Sequence, residues 1–162
     1  MTDIKYPFLP EDRTILYVPA NNQYMMEAKE FARQNNTVKH IGAAVLVKEG
    51  QIIGRGSIGA GLHGKQGNCT REKMNVPTGT QYELCQGCGP EYHSEAGAIH
   101  DAKMGGEYTR DADLYLWGHW WCCEPCWKAI VNAGIKDVYL LEGSEHLFNK
   151  ADPANIIGRQ FE

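Results

Sequence analysis

Between Ala112 and Glu142 the chain reads strand, helix, strand, and that order leaves few folds open. Ala112 to Trp117 is an apolar run, Glu124 to Ala133 carries a helical pattern stopped by Gly134, and Asp137 to Glu142 encloses a Val-Tyr-Leu-Leu core. Two such strands joined by a helix must run parallel, with a right-handed crossover. The segment therefore predicts an α/β fold built on a mixed sheet.

The rest of the chain can be placed around this unit. With 162 residues there is room for one domain with one core. Residues 1–22 hold Pro7, Pro10 and Pro19 and few periodic apolar positions, so they predict an irregular arm. Asn21-Asn22 offer a helix cap, and Tyr24, Ala28, Phe31, Ala32 and Asn35 share one helical face. His40 to Lys48 and Gln51 to Ile58 predict a hairpin across Glu49-Gly50, with Gly54 and Gly56 on its second strand. Gly59 to Pro90 forms a connection of roughly thirty residues, longer than ordinary loops and of the kind that carries function. A second helix opens at His93, places Ala96, Ile99 and Ala102 on one face and stops at Gly105-Gly106. The expected organisation is an arm over 1–22, a catalytic domain over 23–150 and a tail over 151–162, with a short helix after residue 143 and no internal repeat.

Charge and cysteine usage narrow the class of protein. A formal net charge of −4 argues against the broad cationic face that nucleic-acid binding needs and favours small substrates. No apolar run approaches the roughly 20 residues that span a bilayer, and Met1-Thr-Asp-Ile-Lys5 does not begin like a secretory leader, so no membrane partner and a cytoplasmic location are expected. Six cysteines, several in C-x-x-C spacing, then read as reduced metal-binding thiols rather than disulfides.

Chemistry concentrates in His93-Ser94-Glu95 and Cys123-Glu124-Pro125-Cys126. One imidazole and two thiolates fill three places of a tetrahedral zinc ion and leave the fourth open to solvent, which is a catalytic rather than a closed structural set. His93, Cys123 and Cys126 are thus the expected metal ligands and Glu95 the expected proton carrier, an arrangement suited to attack by water on an amino-substituted pyrimidine. Cys123 at a helix cap and Cys126 three positions on stand on one face of a first turn that accepts Pro125. His93 and Glu95, at i and i+2, would diverge on a regular helix, so His93 is expected at an irregular entry. Two helix N-termini then bring partial positive charge to thiolates and to a developing anion.

These residues resemble the zinc-dependent cytidine deaminase superfamily, most closely its CMP/dCMP deaminase branch. His93-Ser-Glu-Ala-Gly-Ala-Ile99 is similar to H-A-E-x-N-A-I, Trp121-Cys-Cys-Glu-Pro-Cys126 to x-P-C-x-x-C, and Val76-Pro-Thr-Gly-Thr-Gln-Tyr-Glu-Leu-Cys85 to a segment that precedes the metal histidine in some dCMP deaminase-like proteins. The likeness covers roughly residues 20–145. It implies a three-layer α/β/α cytidine deaminase-like fold, with a mixed sheet of about five strands between helices, homo-oligomers, and a nucleotide or nucleoside substrate, dCMP foremost. It also implies that the Ser94 backbone NH meets the pyrimidine carbonyl and that Trp120 lines a base pocket. Cys122 stands where the family has Pro, Gly97 where it has Asn, and the sugar-contacting Asn falls at Ile58, or at His63 if the loop is shifted.

Several residues keep two readings. Cys69, Cys85 and Cys88, with His63, form either a second, structural zinc site or ordinary free thiols. Trp117 belongs to the core, and one of Trp120 and Trp121 walls the pocket. Arg55, Lys65, Arg71 and Lys73 either contact a phosphate or are solvated, and His119 is undecided between pocket and surface. Cys122 is a small buried residue and Glu124 a first-turn carboxylate. A deaminase acting on cytosine or adenine in single-stranded nucleic acid and a noncatalytic zinc-stabilised binding domain are the competing functions.

Overall fold

The computed structural model describes residues 8–35, 42–58, 74 and 93–161. The elements are β1 (Ile15–Val18), α1 (Gln23–Asn35), β2 (Ala43–Lys48), β3 (Gln51–Ser57), α2 (Ser94–Met104), β4 (Asp113–Trp117), α3 (Glu124–Asn132), β5 (Val138–Leu141) and α4 (Ser144–Leu147). The strands form one five-stranded sheet in the order β1-β5-β4-β2-β3. β4 and β5 pair in parallel, as the strand-helix-strand reading requires, β1 runs parallel to β5, and β2 is antiparallel to both of its neighbours.

Alternation along the central strands makes the layers. Ala44, Leu46, Leu114 and Leu116 point into a cluster with Ala98, Ile99 and Ala102 of α2 and Trp127 and Ile130 of α3. Ala43, Val45, Val47, Tyr115 and Trp117 point the other way, into a cluster with Met25, Ala28 and Ala32 of α1. With both faces covered, β2 and β4 are buried almost end to end. The mixed α/β/α sandwich implied by the sequence is the fold observed.

Local chemistry fixes the ends. Asn22 Oδ1 accepts the Tyr24 and Met25 N–H groups, each at 3.0 Å, and so caps α1. Glu49 (φ 51°) and Gly50 (φ 78°) both take left-handed conformations, as a two-residue hairpin turn of type I′ demands. Asn35 does not join the apolar face of α1: it is exposed, and Met25 is buried on that side instead.

The arm expected to be irregular over 1–22 contains β1. Its four residues lie between Pro10 and Pro19 and show no clean alternation, because an edge strand is only partly covered. Arg13 secures the approach by donating from its guanidinium to Ile135 O at 2.9 Å and Lys136 O at 3.1 Å. Residues 151–161 fold back on the domain: Phe161 stacks on Trp117 at a centroid distance of 5.3 Å, and Gln160 is buried.

An exposed pair ties α4 to this segment, His146 Nδ1 donating to Asp152 Oδ2 at 2.7 Å. The contact raises the His146 pKa from 6.5 and lowers that of Asp152 from 3.8. The His146 contribution is complete below about pH 6.5 and is lost as pH rises through its raised pKa; that of Asp152 is present above about pH 3.8 and is lost as pH falls through its lowered one. His146→Ala is therefore expected to lower Tm at about pH 6, with the difference closing by about pH 9, as thermal unfolding at the two values will show.

Candidate metal centre

His93 and Cys123 occupy equivalent places: each is the N-cap of a helix. Extended backbone at His93 (φ −72°, ψ 155°) and at Cys123 (φ −72°, ψ 164°) turns each side chain out of the helix that follows, and neither side chain is spent on a capping hydrogen bond. The cap carbonyls still take the first helical bonds, from Gly97 N to His93 O at 2.9 Å and from Trp127 N to Cys123 O at 3.0 Å. This is the irregular entry expected for His93. Pro125 sits in the first turn of α3, where it costs no hydrogen bond.

Three donor atoms meet between the two helix starts. His93 Nδ1 lies 3.2 Å from Cys126 Sγ and 3.4 Å from Cys123 Sγ, and the two sulfurs are 3.2 Å apart. The set lies within 4.8 Å overall, with both cysteines buried. Two sulfurs and one nitrogen at that spacing suit zinc, and among the described residues no fourth donor joins them. Among the described residues this is the one such group.

Electrostatics agree with a metal-binding pair of thiols. The hydrogen bond with Cys126 holds the Cys123 thiol below its usual range, opposed by burial and aided by His93. Cys126 is pushed up by its bond to Cys123, by burial and by the Glu95 carboxyl, to which it also hydrogen-bonds. Glu95 is 4% exposed and faces the cluster from the first turn of α2. Cys122 is fully buried and its thiol is pushed well up by burial, as suits a packing residue.

Ser94 is buried, and its Oγ finds no hydrogen-bond partner among the described residues. His119 joins it on the site side: a side-chain carbon at Gly42 (φ +144°) would lie 2.6 Å from His119 Nε2 and 3.3 Å from Ser94 Oγ. Burial, with His93 nearby, lowers the His119 pKa to about 4, so the ring is neutral at pH 7. Trp117 is core, edge-on to Phe148 at 5.1 Å. Trp121 is buried in the α2/α3 cluster, and the half-buried Trp120 packs against both clusters. Arg55 N–H donates to Asp101 Oδ2 at 2.8 Å, which closes the outer edge of β3 with a helix side chain. His63, Lys65, Cys69, Arg71, Lys73, Cys85 and Cys88, and with them the second-metal reading, lie outside the described residues.

The sequence model of the cytidine and deoxycytidylate deaminase zinc-binding region matches residues 19–142, most of the chain and all of this site. The chain belongs to that family. The matched region is described as zinc-binding, and His93, Cys123 and Cys126 are positioned within it to hold a metal ion. Among curated proteins it is similar to ComE operon protein 2 of Bacillus subtilis (strain 168), at 29% identity over 125 residues, 75% of this chain; it spans 59% of that relative's length. Among solved structures it is similar to the apo dCMP deaminase of cyanophage S-TIM5, at 23% identity and a TM-score of 0.47, covering 78% of this chain and 87% of that one. The guanine deaminase of Bacillus subtilis is similar at 26% identity and a TM-score of 0.46, covering 74% and 62%.

Proposed function

We propose that this chain hydrolytically deaminates a cytosine nucleotide or nucleoside, with dCMP giving dUMP and ammonia as the first reaction to test. The observation that carries the reading is a buried carboxyl, Glu95, against a two-sulfur, one-nitrogen donor set that no fourth protein donor joins among the described residues. His93, Cys123 and Cys126 would hold a zinc ion, which would supply Lewis acidity able to bring the pKa of water from 15.7 down to roughly 7.

The remaining work falls to the chain's own groups. Glu95 takes a proton from the attacking water as the new C–O bond forms at the ring carbon bearing the amino group, and passes it to the ring nitrogen. The second water proton follows the same carboxylate to the amine, the C–N bond breaks, and uracil-type product and ammonia account for every atom. The N-termini of α2 and α3 favour the negative charge that builds up between them. The Ser94 backbone NH meets the ring carbonyl, and one of Trp120 and Trp121 forms a wall of the base pocket.

A catalytic unit over 23–150, a cytoplasmic location and a homo-oligomer complete the reading; the described helices include none long and apolar enough to cross a membrane. The test is ammonia release by the zinc-loaded protein from mononucleotides, nucleosides, free bases and single-stranded oligonucleotides. Turnover of dCMP or another cytosine monomer is expected. Turnover of oligonucleotides alone would transfer the reading to a polynucleotide deaminase, for which Trp120 beside the ligand loop is the supporting feature. No turnover of any substrate at full zinc occupancy would leave a noncatalytic zinc domain.

A further inference from the structure

The two cysteines of the metal centre are also arranged for chemistry between themselves. Cys123 and Cys126 are free thiols three positions apart at the start of α3, with Pro125 between them in the first turn. A C-x-x-C pair at a helix N-terminus is the unit of thiol–disulfide exchange: the unpaired N–H groups there favour thiolate, and the turn holds one sulfur over the other. Here the sulfurs are 3.2 Å apart with a hydrogen bond between them, and the Cys123 side chain is not engaged in capping its helix. A disulfide needs about 2.05 Å, so the gap to close is on the order of 1 Å. Rotation about the two Cα–Cβ bonds closes it with the helix in place.

Access distinguishes the sulfurs. Cys123, at the helix cap, is 7% exposed against 1% for Cys126, so it is the one that an oxidant entering the centre meets first, with Cys126 behind it as the resolving thiol. The adjacent Cys122 has neither property: it is 0% exposed, packed in the apolar cluster, and absent from the group of donor atoms that meet within 4.8 Å. Hydrogen peroxide is little larger than the water that the deaminase reading admits as co-substrate, so one entry serves both.

We infer that Cys123 and Cys126 form a peroxide-sensitive switch, in which their oxidation to a disulfide releases the zinc ion that they and His93 hold. The Cys123 thiolate attacks one peroxide oxygen; the S–O bond forms as O–O breaks, and the departing hydroxide takes a proton from solvent. The Cys126 thiolate then attacks the sulfenic sulfur; S–S forms as S–O breaks, and the second hydroxide also leaves as water. The two sulfurs together lose two electrons, the peroxide gains them, and zinc departs with its charge unchanged. Thiolate is the form of cysteine that binds metal, so the disulfide leaves His93 as the one effective donor of the three, too few to retain the ion. A dithiol reductant reverses the bridge by exchange. The switch acts on the donor set and is independent of which substrate is deaminated.

The experiment treats the zinc-loaded wild-type chain and C122A with graded hydrogen peroxide and follows released zinc with a chromogenic chelator. Remaining thiols are then alkylated, and mass spectrometry reads the tryptic peptide 111–128, which carries Cys122, Cys123 and Cys126. Zinc release is expected to rise in step with a form of this peptide that is two hydrogens lighter and alkylated once, at Cys122. C122A is expected to lose zinc equally, with its bridged peptide not alkylated at all, and dithiothreitol followed by zinc is expected to restore both proteins. Zinc release without that bridge, a bridge that disappears in C122A, oxidation that dithiothreitol does not undo, or zinc that stays bound throughout overturns the inference. So does a wild-type chain that takes up no zinc. None of these readouts is turnover, so a protein that releases ammonia from no substrate would lose the deaminase reading while the switch is still decided by zinc and the bridge.

Discussion

Glu95→Gln is expected to stop ammonia release while leaving zinc in place. Gln matches Glu in size and keeps a hydrogen-bonding end, so the buried slot beside Cys126 stays filled and the three ligands on α2 and α3 are untouched. What disappears is a group that can accept a proton from water and give it up again. General acid–base catalysis contributes about 10² to 10⁴ in rate, and one carboxyl serving both water activation and departure of the amine places the loss at the upper end, about 10³-fold or more. Cys126→Ala is the contrasting variant. It removes one of three donors within 4.8 Å of one another, and both zinc and activity are expected to go. Metal content by elemental analysis beside ammonia release separates the two outcomes. A Glu95→Gln protein as active as the wild type would end the proton-carrier role, and one that had lost its zinc would show Glu95 to be part of the ligand set.

How far this was readable in the residues depended on how local the signal was. The hairpin could be read because Glu49-Gly50 separates two β-rich runs, and the helix starts because cap residues and glycine stops stand next to the elements they bound. The ligands were legible for the same reason: His93 and Cys123 are caps, and a cap is defined by its neighbours. β1 was not, since its four residues acquire meaning only by pairing Ile15 with Val138, more than a hundred positions away. Gly54 and Gly56 were visible on the second strand, but their purpose was not. A glycine within a β-rich run signals a close approach without naming what approaches.

What approaches is the backbone of α2, and this gives Gly56→Ala a large expected effect. A methyl group at Gly56 would lie 2.3 Å from Ala98 N, 2.3 Å from Ser94 O and 2.7 Å from Gly97 C. All three are main-chain atoms of the first two turns of the helix, so no side-chain rotation relieves the overlap. Gly97 faces this seat, its own side-chain position being 3.3 Å from Gly56 Cα, so the Gly in place of the family's Asn belongs to the same contact. The helix as a body must retreat from β3 by on the order of 1 Å, and overpacking of that kind costs roughly 1–3 kcal/mol or more. The same displacement carries His93 and Glu95 away from Cys123 and Cys126, which sit on α3 and do not follow. A misplacement of about 1 Å can cost about 10²-fold in rate, so activity is expected to fall further than stability alone explains. Gly105→Ala, at the other end of α2, is the control: with φ −79° and its nearest contact at 3.5 Å, it has room for the methyl group and is expected to be neutral or slightly stabilising. Tm, zinc stoichiometry and turnover of the two variants test the argument together. A Gly56→Ala protein with wild-type values in all three would mean that α2 is not seated on β3 as closely as the structure has it.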